Sequence, residues 1–142
     1  MMSEFMEFLS TSPILTGAWV VLFVMLIMNV VGNAVSKVKE VSTHDATLMM
    51  NREDAVLLDI RKQDEYRNGH ILGAKQVNEA DLQKANFSAL EKYKDKPIIV
   101  VCAMGMSAKK VANNLNKDGF QQVSVLKGGM ASWQNANLPV SK

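Results

Sequence analysis

The chain has 142 residues, of which 48% are hydrophobic and 21% charged, with a net charge of +2; that length and composition fit one domain of ordinary size plus a short appendage. A single cysteine excludes an internal disulfide framework and fits a reducing compartment. No Lys/Arg block or basic-aromatic interleaving occurs, so no nucleic-acid partner is expected, and one cysteine with two distant histidines offers no metal-ligand spacing.

The appendage comes first. No charged side chain falls between Glu7 and Lys37, and Ile14 to Val31 is nearly all apolar. About 18 to 20 such residues at about 1.5 Å each reach roughly 27 to 30 Å, the thickness of a bilayer hydrocarbon core. Residues 1–36 are therefore predicted to carry a single transmembrane helix over about 13–31, with Pro13 in its first turn, Trp19 near an interface and Asn29 near the headgroups. A cleaved signal peptide is the competing reading, because Gly32-Asn33-Ala34 resembles a cleavage site. Against it stand the length of the apolar run and a leading segment with Glu4 and Glu7 but no Lys or Arg. Lys37, Lys39 and Arg52 follow the span, which places the soluble part in the cytoplasm. Gly32 and Ser36, four residues apart, form a weak helix-packing signal. Residues 37–40 read as a linker and 41–142 as the domain.

Within the domain, short strands alternate with helices. Ser42 or Thr43 can cap a helix through about Met50, and Ala55 to Asp59 is a buried strand. One helical turn over Lys62 to Arg67 is broken by Gly69, and Ala74 to Val77 is extended. Amphipathic helical stretches follow at Glu79 to Lys84 and Phe87 to Tyr93. Pro97 to Cys102 is the most strand-like run, Met106 to Asp118 is a helix stopped by Gly119, Gln121 to Leu126 is a strand, and Gly128-Gly129 opens a last helix through Gln134. This alternation implies an α/β fold with a mostly parallel sheet covered on both faces. Ligands bind beyond the carboxyl ends of such strands, and Cys102 lies at one.

A strand that delivers a thiol into a Gly-containing loop at a helix N-terminus, as Cys102-Ala103-Met104-Gly105-Met106-Ser107 does, surrounds the sulfur with backbone N–H groups and a positive dipole end. Those groups favour a thiolate and can hydrogen-bond an anion built on it. The same residue in isolation reads as a small buried hydrophobe.

Taken together, Leu58-Asp59-Ile60-Arg61, Glu65-Tyr66, Gly69-His70-Ile71, Gly73-Ala74, the strand ending in Cys102, Leu126-Lys127-Gly128-Gly129 to Trp133, and Leu138-Pro139 resemble the rhodanese-like domain family over about Val41 to Val140. With the leading span, the chain is similar to membrane-anchored rhodanese-like proteins of proteobacteria. The resemblance implies a three-layer α/β/α domain behind one transmembrane helix, in the bacterial inner membrane. It further implies a sulfurtransferase in which Cys102 accepts a sulfane sulfur as a persulfide and passes it to a thiol or other nucleophilic acceptor, without metal or cofactor. The loop of Ala103, Met104, Gly105, Met106 and Ser107, with Arg61, would bind the donor.

The six residues Cys102 to Ser107 match the loop length of sulfur-transferring members. A phosphate cradle of cysteine, five residues and arginine would need an arginine where Ala108 stands, which argues against phosphatase activity. Many active members carry arginine at the place of Ser107, and an uncharged loop attracts anionic donors such as thiosulfate poorly. Met104 and Met106 make the mouth apolar and adaptable. A catalytically silent, membrane-anchored binding module is accordingly the alternative function. Asp59 and Arg61 could face substrate but read more as a strand-end ion pair or loop anchor, His70 as a structural hydrogen-bonding residue in preference to a general base, Trp133 as core, Gly128-Gly129 as a tight turn, and Lys92, Lys94 and Lys96 as a solvated face.

Overall fold

The computed structural model describes residues 1–34 and 38–142; Ser36 of the packing signal and Lys37 of the expected linker lie outside the described residues. The chain divides into two compact units, Met1–Ser36 and Lys37–Lys142. In the first, helix α1 (Met2–Thr11) precedes helix α2 (Pro13–Ala34). Pro13 ends one helix and starts the next because it lacks an amide proton yet has a helical φ. Over Pro13–Val31, α2 has a mean hydropathy of 2.5 and no buried side chain. Among the described residues it is the one helix long and apolar enough to cross a membrane.

The second unit holds β1 (Lys39–Val41), α3 (Thr43–Arg52), β2 (Val56–Asp59), α4 (Gln63–Asn68), β3 (His70–Ile71), β4 (Lys75–Gln76), α5 (Glu79–Gln83), a 3-10 helix (Ser88–Tyr93), β5 (Ile98–Val101), α6 (Ala108–Lys117), β6 (Val123–Leu126), α7 (Gly129–Asn135) and β7 (Val140–Ser141). The main sheet has the order β1-β6-β5-β2-β4, every pairing parallel. β5 is its middle strand and all four of its residues are buried, which explains the continuous apolar run Ile98-Ile99-Val100-Val101.

Alternate residues of each strand enter opposite cores. Leu58, Ile98, Val100, Val123 and Val125 pack beneath α5, the 3-10 helix and α6, together with Phe87, Leu115 and Phe120. Leu57, Ile99, Val101 and Leu126 pack under α3 and α7 with Ala46, Met130 and Trp133. The crossovers through α5 and α6 run toward β1 and the one through α3 runs away from it. Right-handed connections therefore put them on opposite faces. The result is a three-layer α/β/α architecture, as the resemblance implied.

Four details depart from the predicted elements. Lys39 and Glu40 are not linker but strand, paired with Ser124 and Val125 of β6; a three-residue edge strand is too short to show a period. The helical stretch predicted near Phe87 to Tyr93 takes the tighter 3-10 form over Ser88–Tyr93, with Phe87 at its N-cap. α6 begins at Ala108 because Met106 and Ser107 are held in the loop. β3 and β7 form a separate antiparallel pair, His70 with Ser141 and Ile71 with Val140, joining segments about 70 residues apart in the chain, a separation that local pattern cannot reveal.

Candidate functional site

The middle strand of a parallel sheet ends where the crossover direction reverses, and there Cys102 follows β5. Its side chain continues the Ile98-Val100 face and packs with Ala108 and Ala112 of α6; 3% of the residue is exposed. The Gly105 N–H donates to Cys102 Sγ at 2.9 Å. That contact needs the chain to turn back within three residues, and Gly105 does so at φ +90°, a conformation costly for other residues.

The loop is clasped from behind by the start of α7. Met130 N–H donates to the Cys102 carbonyl at 2.8 Å and Ala131 N–H to the Ala103 carbonyl at 3.1 Å. The first-turn amides of α7, which have no carbonyl partner within the helix, are thus used to hold the thiol loop. A Cβ on Gly129 would lie 2.2 Å from the Cys102 carbonyl oxygen, so the closeness of helix and loop depends on a glycine there. The pair Gly128-Gly129, which opens the last helix, is also the backing of the site.

On the other side, Ser107 is the N-cap of α6 without a side-chain cap bond. The next three amides, of Ala108, Lys109 and Lys110, sit at positions with no intrahelical acceptor. The loop tip is solvent-facing: Met104 is 71% and Met106 84% exposed, and Ala103 and Ser107 are exposed as well. The sulfur thus accepts one loop amide, and the loop that carries it leads directly into the N-terminus of α6.

Arg61 is elsewhere engaged. Its Nε donates to both Asp59 carboxylate oxygens, at 3.0 and 3.2 Å, and one Nη donates to Asp59 Oδ2 at 2.7 Å and to the Gly69 carbonyl at 2.8 Å. Both side chains are nearly fully buried. The pair closes the β2–α4 turn and ties it to the Gly69 turn; removing one partner of such a pair strands a buried charge, at a cost of about 3–5 kcal/mol. His70 is similarly structural: its Nδ1–H donates to the Tyr66 carbonyl at 2.8 Å while its ring stacks on Tyr66 at 3.8 Å, and the Tyr66 hydroxyl donates to the Ala74 carbonyl. Trp133 is core, its indole N–H donating to the Pro139 carbonyl at 3.1 Å.

Beside the loop lies an open groove of about 390 Å³ lined by Glu40, Met104, Met106, Lys109, Lys127 and Gly128 among others. Glu40 forms an ion pair with Lys109. The hydrogen bond and charge of Lys109 hold the Glu40 carboxyl below the usual carboxylate range, against a smaller opposing effect of burial and with a still smaller contribution from the charge of Lys127. Nothing in the sequence announced Glu40: it reaches the loop only because β1 joins β6. Among the described residues no cluster of His, Cys, Asp and Glu could hold a metal ion.

The sequence model of the rhodanese-like domain family matches residues 42–136 of the chain. Over 139 residues, 98% of the chain and 97% of the relative, it is 43% identical to the uncharacterized protein YibN of Escherichia coli K12. It is 37% identical to the thiosulfate sulfurtransferase GlpE of Pseudoalteromonas translucida, over 69% of this chain and 90% of that one. A solved rhodanese-like domain from an Anabaena sp. protein superposes with a TM-score of 0.56 at 32% identity, covering 68% of this chain and 97% of that one. With the thiol loop at the end of the middle strand and the family match spanning both cores, this chain belongs to the rhodanese-like domain family.

Proposed function

We propose that the protein is a membrane-tethered sulfurtransferase that carries sulfane sulfur on Cys102. The observation that carries this reading is the Gly105 N–H on Cys102 Sγ at the head of α6, in a chain related to thiosulfate sulfurtransferases. The Cys102 thiolate attacks the outer sulfur of a donor such as thiosulfate. The donor S–S bond breaks, sulfite leaves with the electron pair, and a Cys102 persulfide anion remains among the loop amides. A thiolate acceptor then attacks the terminal sulfur and regenerates the Cys102 thiolate. The loop residues Ala103, Met104, Gly105, Met106 and Ser107 surround the donor; Arg61 supports the neighbouring turn. The test is the intact mass of the full chain after exposure to several sulfane donors: a species one sulfur atom heavier, reversed by cyanide or thiol, is expected, and none with any donor would refute the reading.

A second reading, a binding module that recruits partners to the membrane, draws on the 3% exposure of Cys102 and on the absence of charge in the loop tip. Ser107→Arg separates the two. Ser107 is exposed, so an arginine there meets no packed neighbour and adds the missing charge. One exposed charge contact is worth about 0.5–1 kcal/mol, so the apparent KM for thiosulfate should fall about two- to five-fold in steady-state assays. A binding module would show no turnover to improve.

The tether is α2, with the domain on the cytoplasmic side of the inner membrane. Its apolar length supports the span, and Lys39 and Arg52 after it support the orientation. The chain should stay with membranes through alkaline carbonate extraction, and protease added to intact spheroplasts should spare the domain. Digestion from outside would reverse the orientation, and extraction into the supernatant would remove the tether.

A further inference from the structure

The groove beside the thiol loop draws its charges from three elements: Glu40 from β1, Lys109 from the first turn of α6, and Lys127 from the end of β6. The Lys109 ammonium, a cation one would look to for attracting an anionic donor, is already paired with the Glu40 carboxylate. We infer that Glu40 is a specificity-determining residue: it acts as a resident anion that competes with small anionic sulfur donors for Lys109, and so biases the site against thiosulfate-class donors and toward donors that bring little negative charge. This deepens the sulfurtransferase reading and rests on it.

Four observations support the inference. The backbone fixes Glu40 in place, since β1 is hydrogen-bonded to β6 with Glu40 opposite Val125 and the Lys127 N–H donating to the Val41 carbonyl at 2.9 Å. Both partners remain partly exposed, 59% for the Lys109 side chain and 39% for Glu40, so an incoming anion can reach and displace the carboxylate. Glu40 stays ionised at neutral pH, because Lys109 and Lys127 favour its charged form. The remainder of the mouth, Met104 and Met106, offers polarizable apolar surface and no charge.

The experiment uses the full chain in a non-ionic detergent and compares wild type, Glu40→Gln, Lys109→Gln and the double variant. With thiosulfate, Glu40→Gln should lower apparent KM about two- to five-fold, the double variant should lose that gain, and raising the salt to several times physiological strength should erase the difference by screening. With a neutral organic persulfide or trisulfide donor, Glu40→Gln should change KM little. A thiosulfate KM that is the same in wild type and Glu40→Gln, while Cys102 loads normally, overturns the inference and leaves the sulfurtransferase reading standing. If no donor loads Cys102 in any variant, the sulfurtransferase reading fails by itself. The competition is then decided by titrating the proteins with sulfate and following the backbone amide resonances of residues 104–109 and 127. Tighter sulfate binding in Glu40→Gln, absent from the double variant, supports Glu40 as the resident anion, and equal binding in all four rejects it.

Discussion

Cys102→Ser should abolish sulfur loading completely while leaving the domain folded. Serine is nearly isosteric with cysteine, and its hydroxyl oxygen can accept the Gly105 N–H that Sγ accepts at 2.9 Å, so the loop keeps its internal bond. The residue packs in a core with Ala108 and Ala112, and a buried hydroxyl that finds a donor changes stability by only about 1 kcal/mol. An alcohol is neither ionised near neutral pH nor a soft nucleophile, so the donor S–S bond is not attacked. Intact-mass measurement should find no added sulfur in the variant, and a thermal melt should find a cooperative transition within a few degrees of wild type. Sulfur that still adds to the serine variant would mean that the chemistry lies elsewhere. An unfolded variant would mean that the thiol is mainly a packing group.

Gly129→Ala should have the second largest effect, and without touching the thiol. At φ +58° the added Cβ would lie 2.2 Å from the Cys102 carbonyl oxygen and 2.9 Å from both the Ala103 carbonyl carbon and the Gly105 amide nitrogen. All three are backbone atoms of the sulfur loop, so relief requires the loop to part from α7. That separation loosens the bonds from Met130 and Ala131 to the loop carbonyls and moves the turn that brings Gly105 onto sulfur. Gly119→Ala is the control. Gly119 also has positive φ, +96°, but its Cβ would meet only the far end of the Lys94 side chain at 3.8 Å. The control therefore isolates backbone strain, about 1–2 kcal/mol. Gly129→Ala should cost at least about 2 kcal/mol more, as overpacking against backbone does, and should slow sulfur loading at least ten-fold while the control loads normally. Denaturant melts and single-turnover loading read the two effects. Equal stability losses with normal loading in both variants would show that the clasp does not shape the site.

The Asp59–Arg61 pair illustrates how far local sequence reaches into this structure. Two residues apart at a strand end, they had to be either a donor-binding arginine with a nearby acid or a structural pair. The hydrogen bonds to Asp59 and to the Gly69 carbonyl show where the guanidinium is spent, because the Gly69 turn folds back over the end of β2. Among the residues expected to bind donor, Arg61 is thus held by its own turn, while Ala103, Met104, Gly105, Met106 and Ser107 remain together around the thiol.

What the sequence by itself determined follows from short-range physics. The uncharged run from Ile14 to Val31 has the length of a membrane span, and the buried run Ile98 to Val101 requires covering on both faces. Ser42 caps α3 by accepting the Asp45 N–H at 3.1 Å, and Gly69 and Gly119 stop helices; each depends on neighbours within a few residues. Cys102 at the strand end belongs to the same class, since strand, thiol, glycine and helix are consecutive. The tertiary structure alone decided what reaches that thiol from a distance. β1 is three residues long and carries no pattern, yet its pairing with β6 sets Glu40 against Lys109, 69 positions later in the chain. Gly129 backs the loop only because β6 lies beside β5 and α7 starts at its end. Charge and steric contact act through space, so residues that neither adjoin in sequence nor share a period become neighbours only when the parallel sheet sets the order of its strands.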